Sequence, residues 1–210
     1  MLTANRSIVA DGRDVSADAG AQTLVEEAVK VTATERPKLV TILYATETGA
    51  SEDVAGALSR EAEAADLTVT CQDVADFDPE DLDTLDVLLF VTSTTGEGEV
   101  PYTAEEFFEA VESKDCPDLS GIRYSVLALG DSTYEQFCEA GKRLDRALAT
   151  AGAVRIQDRV DCDVDYEDTA AQWRGSVLAK LIGEEAAKPV AEAEIAGSVE
   201  RSPRYEPLTA

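Results

Sequence analysis

The sequence predicts a single-domain α/β protein whose doubly wound, five-stranded parallel sheet has the strand order 2-1-3-4-5. From residue 38 onward, short apolar segments alternate with segments of helical periodicity, which is typical of a parallel sheet covered by helices on both faces. Three of the apolar segments are continuous and two alternate with polar residues, which separates central strands from edge strands. The chain of 210 residues is long enough for one well-packed domain with tails.

We predict strands at residues 38–45, 67–72, 86–93, 122–130 and 153–160. The strand order follows from the pattern of apolar and polar residues within each strand. Strands one, three and four contain continuous apolar runs because both of their faces are buried. Strands two and five alternate apolar and polar residues, which places them at the edges. With these edges, a ligand site is expected beyond the carboxyl ends of strands one and three.

Two apolar stripes at helical spacing predict helices that pack on the sheet. The stripes are Phe137, Ala140, Gly141, Leu144, Ala147, Leu148 and Ala151, and then Ala170, Trp173, Val177 and Leu181. Because Trp173 lies on the second stripe, we expect it in the core rather than at a ligand.

The domain is expected to span residues 37–183, with a segment of different composition at each end. Residues 1–36 are rich in Ala, Asp and Thr and predict a flexible N-terminal arm. Residues 184–210 shift to Ala, Glu, Pro and Ser, which bury too little apolar surface to order themselves. We interpret this second segment as an acidic linker or tail.

The charge balance narrows the range of partners. A formal net charge of −25 does not suit nucleic acid, whose phosphates require a basic surface. No apolar run has the length that a bilayer requires and no secretory signal is visible, so we expect a cytoplasmic protein with no membrane contact. Arg outnumbers Lys by 12 to 6 and acidic residues occur in every segment, which suits adaptation to high salt.

The residue types that are missing exclude several kinds of chemistry. Without histidine, the chain has no Ser-His-Asp triad and no histidine metal site. Its cysteines form no Cys-x-x-Cys pair, which argues against a zinc cluster, so we predict buried free thiols at Cys71, Cys116, Cys138 and Cys162. No catalytic side chain and no metal site are expected.

Distinctive loops follow strands one, three and four. The first, Thr46-Glu47-Thr48-Gly49-Ala50-Ser51, offers hydroxyls and free backbone N–H groups where a helix begins near Glu52, which suits an anion. The alternative is a simple helix cap by Ser51. The chain has neither Gly-x-x-x-x-Gly-Lys nor Gly-x-Gly-x-x-Gly, so a monophosphate fits better than a nucleoside triphosphate or a dinucleotide.

The other two loops add backbone freedom and an aromatic ring. The second, residues 92–102, contains Gly96 and Gly98, which permit backbone conformations that other residues resist. The third, residues 129–137, presents Tyr134 between a buried strand and a helix, where its ring can cover a planar ligand.

Together, these loops resemble the FMN domain of the diflavin reductase family over about residues 38–182. The matching motifs are Thr46-x-Thr48-Gly49-x-Ser51, Ser93-Thr94-Thr95-Gly96-Glu97-Gly98-Glu99 and Leu129-Gly130-Asp131-Ser132-x-Tyr134-Glu135-x-Phe137. The segment Arg159-Val160-Asp161-Cys162-Asp163-Val164-Asp165-Tyr166, followed by Trp173-Arg174, is similar to the sulfite reductase (NADPH) flavoproteins of that family.

The resemblance implies a flavodoxin-like fold with FMN as the cofactor. Residues 46–51 are expected to hold the FMN phosphate, residues 93–98 and 130–138 to flank the isoalloxazine, and Tyr134 to stack on it. Gly96 is the peptide whose carbonyl is expected to turn toward flavin N5 on one-electron reduction. The implied cofactor-binding residues are Thr46, Glu47, Thr48, Gly49, Ala50, Ser51, Ser93, Thr94, Thr95, Gly96, Glu97, Gly98, Leu129, Gly130, Asp131, Tyr134, Phe137, Cys138 and Asp163.

Two positions depart from the family pattern, and one acidic stretch gains a role from it. Thr95 stands where cytochrome P450 reductases have a second aromatic residue, and Ala50 stands where many relatives have Asn. Carboxylates beside the flavin disfavour its full reduction and steer a basic partner, although a solvated surface is the alternative. The acidic residues concerned are Asp161, Asp163, Asp165, Glu167 and Asp168.

The implied function is an FMN-binding electron-transfer module. It accepts electrons from an FAD/NADPH-binding reductase domain or protein and passes them singly to a metal-centred acceptor, a sulfite-reductase-type hemoprotein or an iron–sulfur protein. The chain alone then performs no complete catalytic cycle. A free-standing flavodoxin that serves several acceptors is the alternative. A signalling receiver domain is disfavoured because strand one ends without an acidic pair and no lysine follows strand five until Lys180.

Overall fold

The computed structural model describes Pro37 and residues 39–183. The predicted arm, residues 1–36, and the predicted tail, residues 184–210, lie outside the described residues. The described part confirms the predicted parallel sheet of order β2-β1-β3-β4-β5, and it adds a short strand, β6, beside β4.

Strands and helices alternate along the chain, and every pairing in the sheet is parallel. The strands are β1 Val40–Ala45, β2 Val69–Asp73, β3 Val87–Ser93, β4 Arg123–Leu129, β5 Val154–Arg155 and β6 Val160–Cys162. The helices are α1 Ala50–Ala64, α2 Glu105–Glu112, α3 Glu139–Thr150 and α4 Glu167–Ile182. Short 3-10 helices lie at Val74–Asp76, Pro79–Thr84 and Tyr102–Ala104.

Both faces of the sheet are buried, which explains the continuous apolar runs of its central strands. Leu89 and Val91 of β3 pack in the cluster that contains α1 and α4, whereas Leu88 and Phe90 pack in the cluster with α2 and α3. Successive side chains of a strand point to opposite faces, so a strand between two helical layers has no polar side. Trp173 is buried in the first cluster, as predicted.

The predicted fifth strand, residues 153–160, was wrong in its continuity. β5 pairs with the start of β4 and β6 with its end, so residues 156–159 lie opposite only residues 125 and 126 and form a bulge. Arg155 directly precedes this bulge and Arg159 is its last residue, and the guanidinium groups of both reach the Asp145 carboxylate of α3, at 2.7 and 3.0 Å. This polar convergence coincides with the interruption of the strand, and strand periodicity alone contains no sign of it.

The cysteines follow the prediction in part. All four are free thiols, and Cys138 and Cys162 are buried as expected, but Cys71 and Cys116 are partly exposed. Cys71 lies on β2, an edge strand with one open side, which explains its exposure. Among the described residues, no helix has the length and apolarity needed to cross a membrane.

Candidate cofactor site

A cleft of about 400 Å³ lies at the carboxyl ends of β1, β3 and β4, where the three distinctive loops meet. This is the position at which doubly wound sheets bind ligands, because the strand order reverses there and separates the loops. The volume falls in the range of small-molecule sites.

The first loop is shaped by a left-handed glycine. Gly49 has φ +93° and is the N-cap of α1, and its N–H donates to Thr46 Oγ1 at 3.0 Å. The helix therefore begins at Ala50 and not near Glu52. Ser51 lies inside the helix and caps nothing, so the alternative interpretation of Ser51 as a simple helix cap is wrong. Glycine suits this position because it adopts positive φ at no steric cost.

The Ser51 hydroxyl is an unused donor at this helix terminus. Its side chain is fully buried, and its Oγ atom has no hydrogen-bond partner among the described residues. The N–H groups of the first helical turn likewise have no acceptor within the helix. Together with the positive end of the helix dipole, these donors fit a phosphate oxygen. The loop therefore fits the phosphate group of FMN.

The second loop is a tight turn closed by its own backbone. The N–H of Thr95 donates to the Glu99 carbonyl at 2.9 Å, and the N–H of Glu99 donates back to the Thr95 carbonyl at 2.9 Å. Gly96 and Gly98 both have positive φ inside this turn. A Cβ atom on Gly98 would lie 2.7 Å from Cβ of Gln136, so glycine at this position lets loops two and three pack together.

The third loop presents an aromatic ring to the cleft. Tyr134 lines the cleft, and its large ring is 54% exposed. The Asp131 carboxylate shapes the turn before it, because Oδ1 accepts from the N–H and the hydroxyl of Thr133 at 2.9 and 2.6 Å. A Cβ atom on Gly130 would lie 3.0 Å from the backbone nitrogen of Cys138, so the base of the loop is closely packed.

Two buried thiols lie beneath this loop and contribute no reactive group. Burial, together with the negative charge of the neighbouring Asp161 carboxylate, raises the pKa of Cys138 to about 12 and that of Cys162 to about 11. Both sulfurs are therefore protonated at neutral pH. The Cys138 Sγ atom lies within hydrogen-bond distance of the carbonyls of Ala128 and Cys162, which suits a packing role.

The predicted site residues divide into a group that lines the cleft and a group that lies outside its lining. Those that line it are Thr48, Ala50, Ser93, Thr94, Gly96, Leu129, Gly130, Asp131, Tyr134, Phe137, Cys138 and Asp163. Those outside the lining are Thr46, Glu47, Gly49, Ser51, Thr95, Glu97 and Gly98. The second group belongs to the first two loops, where Thr46 and Gly49 are bonded to each other.

Three further lining residues, Gln136, Val164 and Tyr166, are not among the individually predicted site residues, although Gln136 falls within the range 130–138 that was expected to flank the isoalloxazine. Gln136 lies between two predicted site residues of the third loop, so its position was a usable signal. Val164 and Tyr166 flank Asp165 within the acidic segment, where no sequence motif or periodicity marks the two as site residues.

The sequence profile of the flavodoxin family matches residues 42–173. Two similar proteins are named sulfite reductase (NADPH) flavoprotein alpha-component: one from Vibrio vulnificus, 42% identical over 170 residues, and one from Bacillus subtilis, 44% identical over 144 residues. The matches cover 81% and 69% of this chain, but only 28% and 24% of those relatives. The chain thus spans about a quarter of the length of these relatives.

Solved structures with a similar fold include a Streptococcus flavodoxin, with a TM-score of 0.63 and 26% identity over 70% of this chain and 99% of that one. Oxidised Flavodoxin 2 from Bacillus cereus has a TM-score of 0.61 and 28% identity over 68% of this chain and 99% of that one. The family profile covers more than half of the chain, and the solved flavodoxin structures share its fold. The chain therefore belongs to the flavodoxin family, whose members bind FMN.

Proposed function

We propose that this chain is an FMN-binding electron-transfer module that takes electrons from an FAD/NADPH-binding reductase and passes them singly to a metal-centred acceptor such as a hemoprotein. The observation that carries the proposal is the meeting of the three loops at one cleft. One loop leads into a helix with a buried, unpartnered hydroxyl, and another presents an exposed tyrosine ring. The names of the Vibrio and Bacillus relatives support the choice of reductase and acceptor.

Neutral donors are proposed to hold the phosphate. None of the residues that line the cleft is Lys or Arg. The Ser51 hydroxyl, the Thr48 hydroxyl and the first-turn N–H groups of α1 remain for the phosphate oxygens. Because Thr46 Oγ1 accepts from Gly49, its own hydroxyl hydrogen is also free to donate.

The bound FMN would supply the redox chemistry, and the protein side chains set its geometry and the surrounding charge. Tyr134 is proposed to cover one face of the ring and keep water from it. Hydrogen bonds from the side chain and backbone of Ser132 lower the pKa of the Asp163 carboxyl, so its charge is present at neutral pH. A fixed negative charge in the cleft wall opposes the addition of electrons and favours a low potential.

The acidic border of the cleft is proposed to guide a basic partner surface. Asp163, Asp165, Glu167 and Asp168 are exposed along one segment beside the opening. Opposite charges accelerate association more than they tighten it, and salt screens them within about 10 Å at 0.1 M. Docking of this kind would bring the flavin edge close to the partner's redox centre.

The first test is visible absorbance of the purified protein, followed by chromatography of the cofactor released by heat. A flavin spectrum and FMN in near-equal amount to protein are expected. A colourless protein that cannot be reconstituted with FMN would overturn the proposal.

The second test addresses the electron donor. The FMN-loaded protein is mixed with NADPH, with and without a sulfite reductase flavoprotein from which the FMN portion has been removed. Bleaching of the FMN absorbance is expected only with the partner, and its rate should fall as salt rises. Equally fast bleaching by NADPH alone would contradict the proposal that the FMN receives its electrons through a separate reductase.

A further inference from the structure

The Asp163 carboxylate holds the third loop from a distance of 31 residues along the chain. Its Oδ1 atom accepts from the backbone N–H of Ser132 at 3.0 Å, and its Oδ2 atom accepts from the Ser132 hydroxyl. Oδ1 also accepts from the N–H of Val164 at 2.8 Å. Both oxygens of the carboxylate are thus engaged by protein donors.

This contact occupies a special place in the hydrogen bonding of the loop. Residues 131–136 are otherwise bonded locally, as where the N–H of Tyr134 donates to the Asp131 carbonyl. In the part of the chain that the structure describes, their hydrogen bonds reach another segment only through Ser132 and Asp163. Most of these residues are exposed, and the packing of the loop is confined to its end, where Gln136 lies against Gly98.

The other end of the contact is rigid. Asp163 directly follows β6, which pairs with β4 through Val160, Asp161 and Cys162. The N–H of Gly130 donates to the Cys162 carbonyl at 3.0 Å, so β6 is tied to the base of the same loop. A carboxylate at the end of this strand is therefore a fixed point that can hold the exposed loop.

We infer that Asp163 is a positioning residue, whose carboxylate holds Ser132 and thereby places the Tyr134 ring in the cleft before the cofactor arrives. The inference rests on the proposed FMN site, and it adds an explanation of how the Tyr134 ring keeps its position there. Preorganisation of this kind raises affinity because the loop is already ordered and loses no conformational entropy when the cofactor binds. The Asp163 carboxylate accepts from Ser132 of the loop and from Val164 at the end of its own strand. The neighbouring charged groups along the chain are Asp131, Asp161 and Asp165.

The direct test is hydrogen exchange of the Ser132 amide in the cofactor-free protein, because that N–H donates to Asp163. In Asp163→Ala its exchange should become about tenfold faster, the change expected for the loss of a charge-assisted bond at an exposed position. Amides in the middle of β4 should keep their rates, which shows that the fold is intact. An unchanged Ser132 rate would overturn the inference.

Affinity for FMN is the second measurement, with Asp165→Ala as the matched control. Asp165 is an exposed carboxylate two residues further on, so its removal changes the local charge equally without touching the loop. Asp163→Ala should weaken FMN binding by about tenfold, whereas Asp165→Ala should leave it unchanged or slightly stronger. Equal affinities of the two variants would mean that Asp163 acts only as a charge, and would overturn the positioning role.

A double-mutant cycle with Ser132→Ala completes the design. If the two side chains act as one unit, the double variant should bind FMN no more weakly than Asp163→Ala alone. Additive losses would contradict the inference. A wild-type protein that binds no FMN would overturn the proposed function, while the exchange rate of Ser132 would still decide whether Asp163 holds the loop.

Discussion

At the scale of single residues, the Ser51 hydroxyl is expected to have opposite effects on the stability of the fold and on FMN affinity. A buried hydroxyl without a partner costs stability, so replacing it by alanine should stabilise the cofactor-free protein by about 1 kcal/mol. The same change should weaken FMN binding, because one phosphate donor is lost. Urea unfolding of the cofactor-free protein and FMN titration measure the two effects.

The matched control is Ser59→Ala in the same helix, whose hydroxyl is paired at 3.5 Å with Glu63 on the surface. Ser59→Ala should change the free energy of unfolding by no more than about 0.5 kcal/mol, and it should leave the FMN affinity unchanged. If Ser51→Ala destabilised the cofactor-free protein, the hydroxyl would have a protein partner and its assignment to the phosphate would be wrong.

Tyr134 carries the second prediction at this scale. Replacing Tyr134 by alanine removes a ring from the cleft wall and should weaken FMN binding roughly tenfold, the equivalent of about 1.4 kcal/mol of stacking. The flavin absorbance spectrum should also change. Tyr102→Ala is the control, since that ring is 78% exposed and lies outside the cleft lining. Similar effects of both variants would move the stacking role elsewhere.

At the scale of elements, the Asp145 carboxylate joins α3 to the edge of the sheet. It accepts from the Tyr124 hydroxyl at 2.9 Å and from the guanidinium groups of Arg155 and Arg159 at the bulge. Asp145 is only 7% exposed, while the arginine side chains keep some contact with solvent. Water can therefore hydrate the arginines if the cluster is broken, but it has little access to the buried carboxylate.

Removal of that carboxylate should destabilise the fold. Asp145→Ala is expected to lower the free energy of unfolding by about 3 kcal/mol, the low end for breaking a buried ion pair, because the arginines can still be hydrated. Asp158→Ala, an exposed carboxylate on the bulge, should stay within about 0.5 kcal/mol of the wild type. Urea unfolding at neutral pH decides, and equal stability of the two variants would refute the role of the cluster.

The same cluster predicts a pH dependence. Burial alone would raise the pKa of Asp145, but hydrogen bonds from Arg155 and Tyr124 and the positive charges of both arginines outweigh burial and lower it. A lowered folded-state pKa contributes stability above the unfolded value of about 3.9, and this contribution is lost as pH falls through the folded pKa. The difference in unfolding free energy between wild type and Asp145→Asn should therefore be constant from about pH 7 to 5 and shrink below about pH 4.

At the scale of the whole molecule, a net charge of −25 opposes compaction. Raising potassium chloride from about 0.01 to 1 M shortens the screening length from about 30 to 3 Å, which weakens this repulsion. The Tm should rise on the order of 5 °C, as expected for a gain of roughly 2 kcal/mol in a chain of this size. Sodium chloride at equal ionic strength is the control, because screening depends on ionic strength and should produce the same rise. A Tm that does not respond to salt would contradict adaptation to high salt.

Much of the architecture could be predicted from the sequence because it depends on neighbouring residues. The buried run of β3 and the alternating pattern of β2 are local patterns, and they determined the strand order. The loops containing Gly49, Gly96 and Tyr134 had to meet, because the carboxyl ends of parallel strands share one edge of the sheet. The family resemblance added the cofactor and the expected role of each loop.

Only the tertiary structure decided which side chains face each other across long stretches of chain. The Ser132–Asp163 contact, the Asp145 cluster with its bulge and the unpartnered Ser51 hydroxyl all depend on how helices and strands pack. Hydropathy and periodicity describe how often a residue type recurs along the chain. They contain no distances between residues far apart in sequence, and a hydrogen bond forms only when packing brings donor and acceptor within about 3 Å.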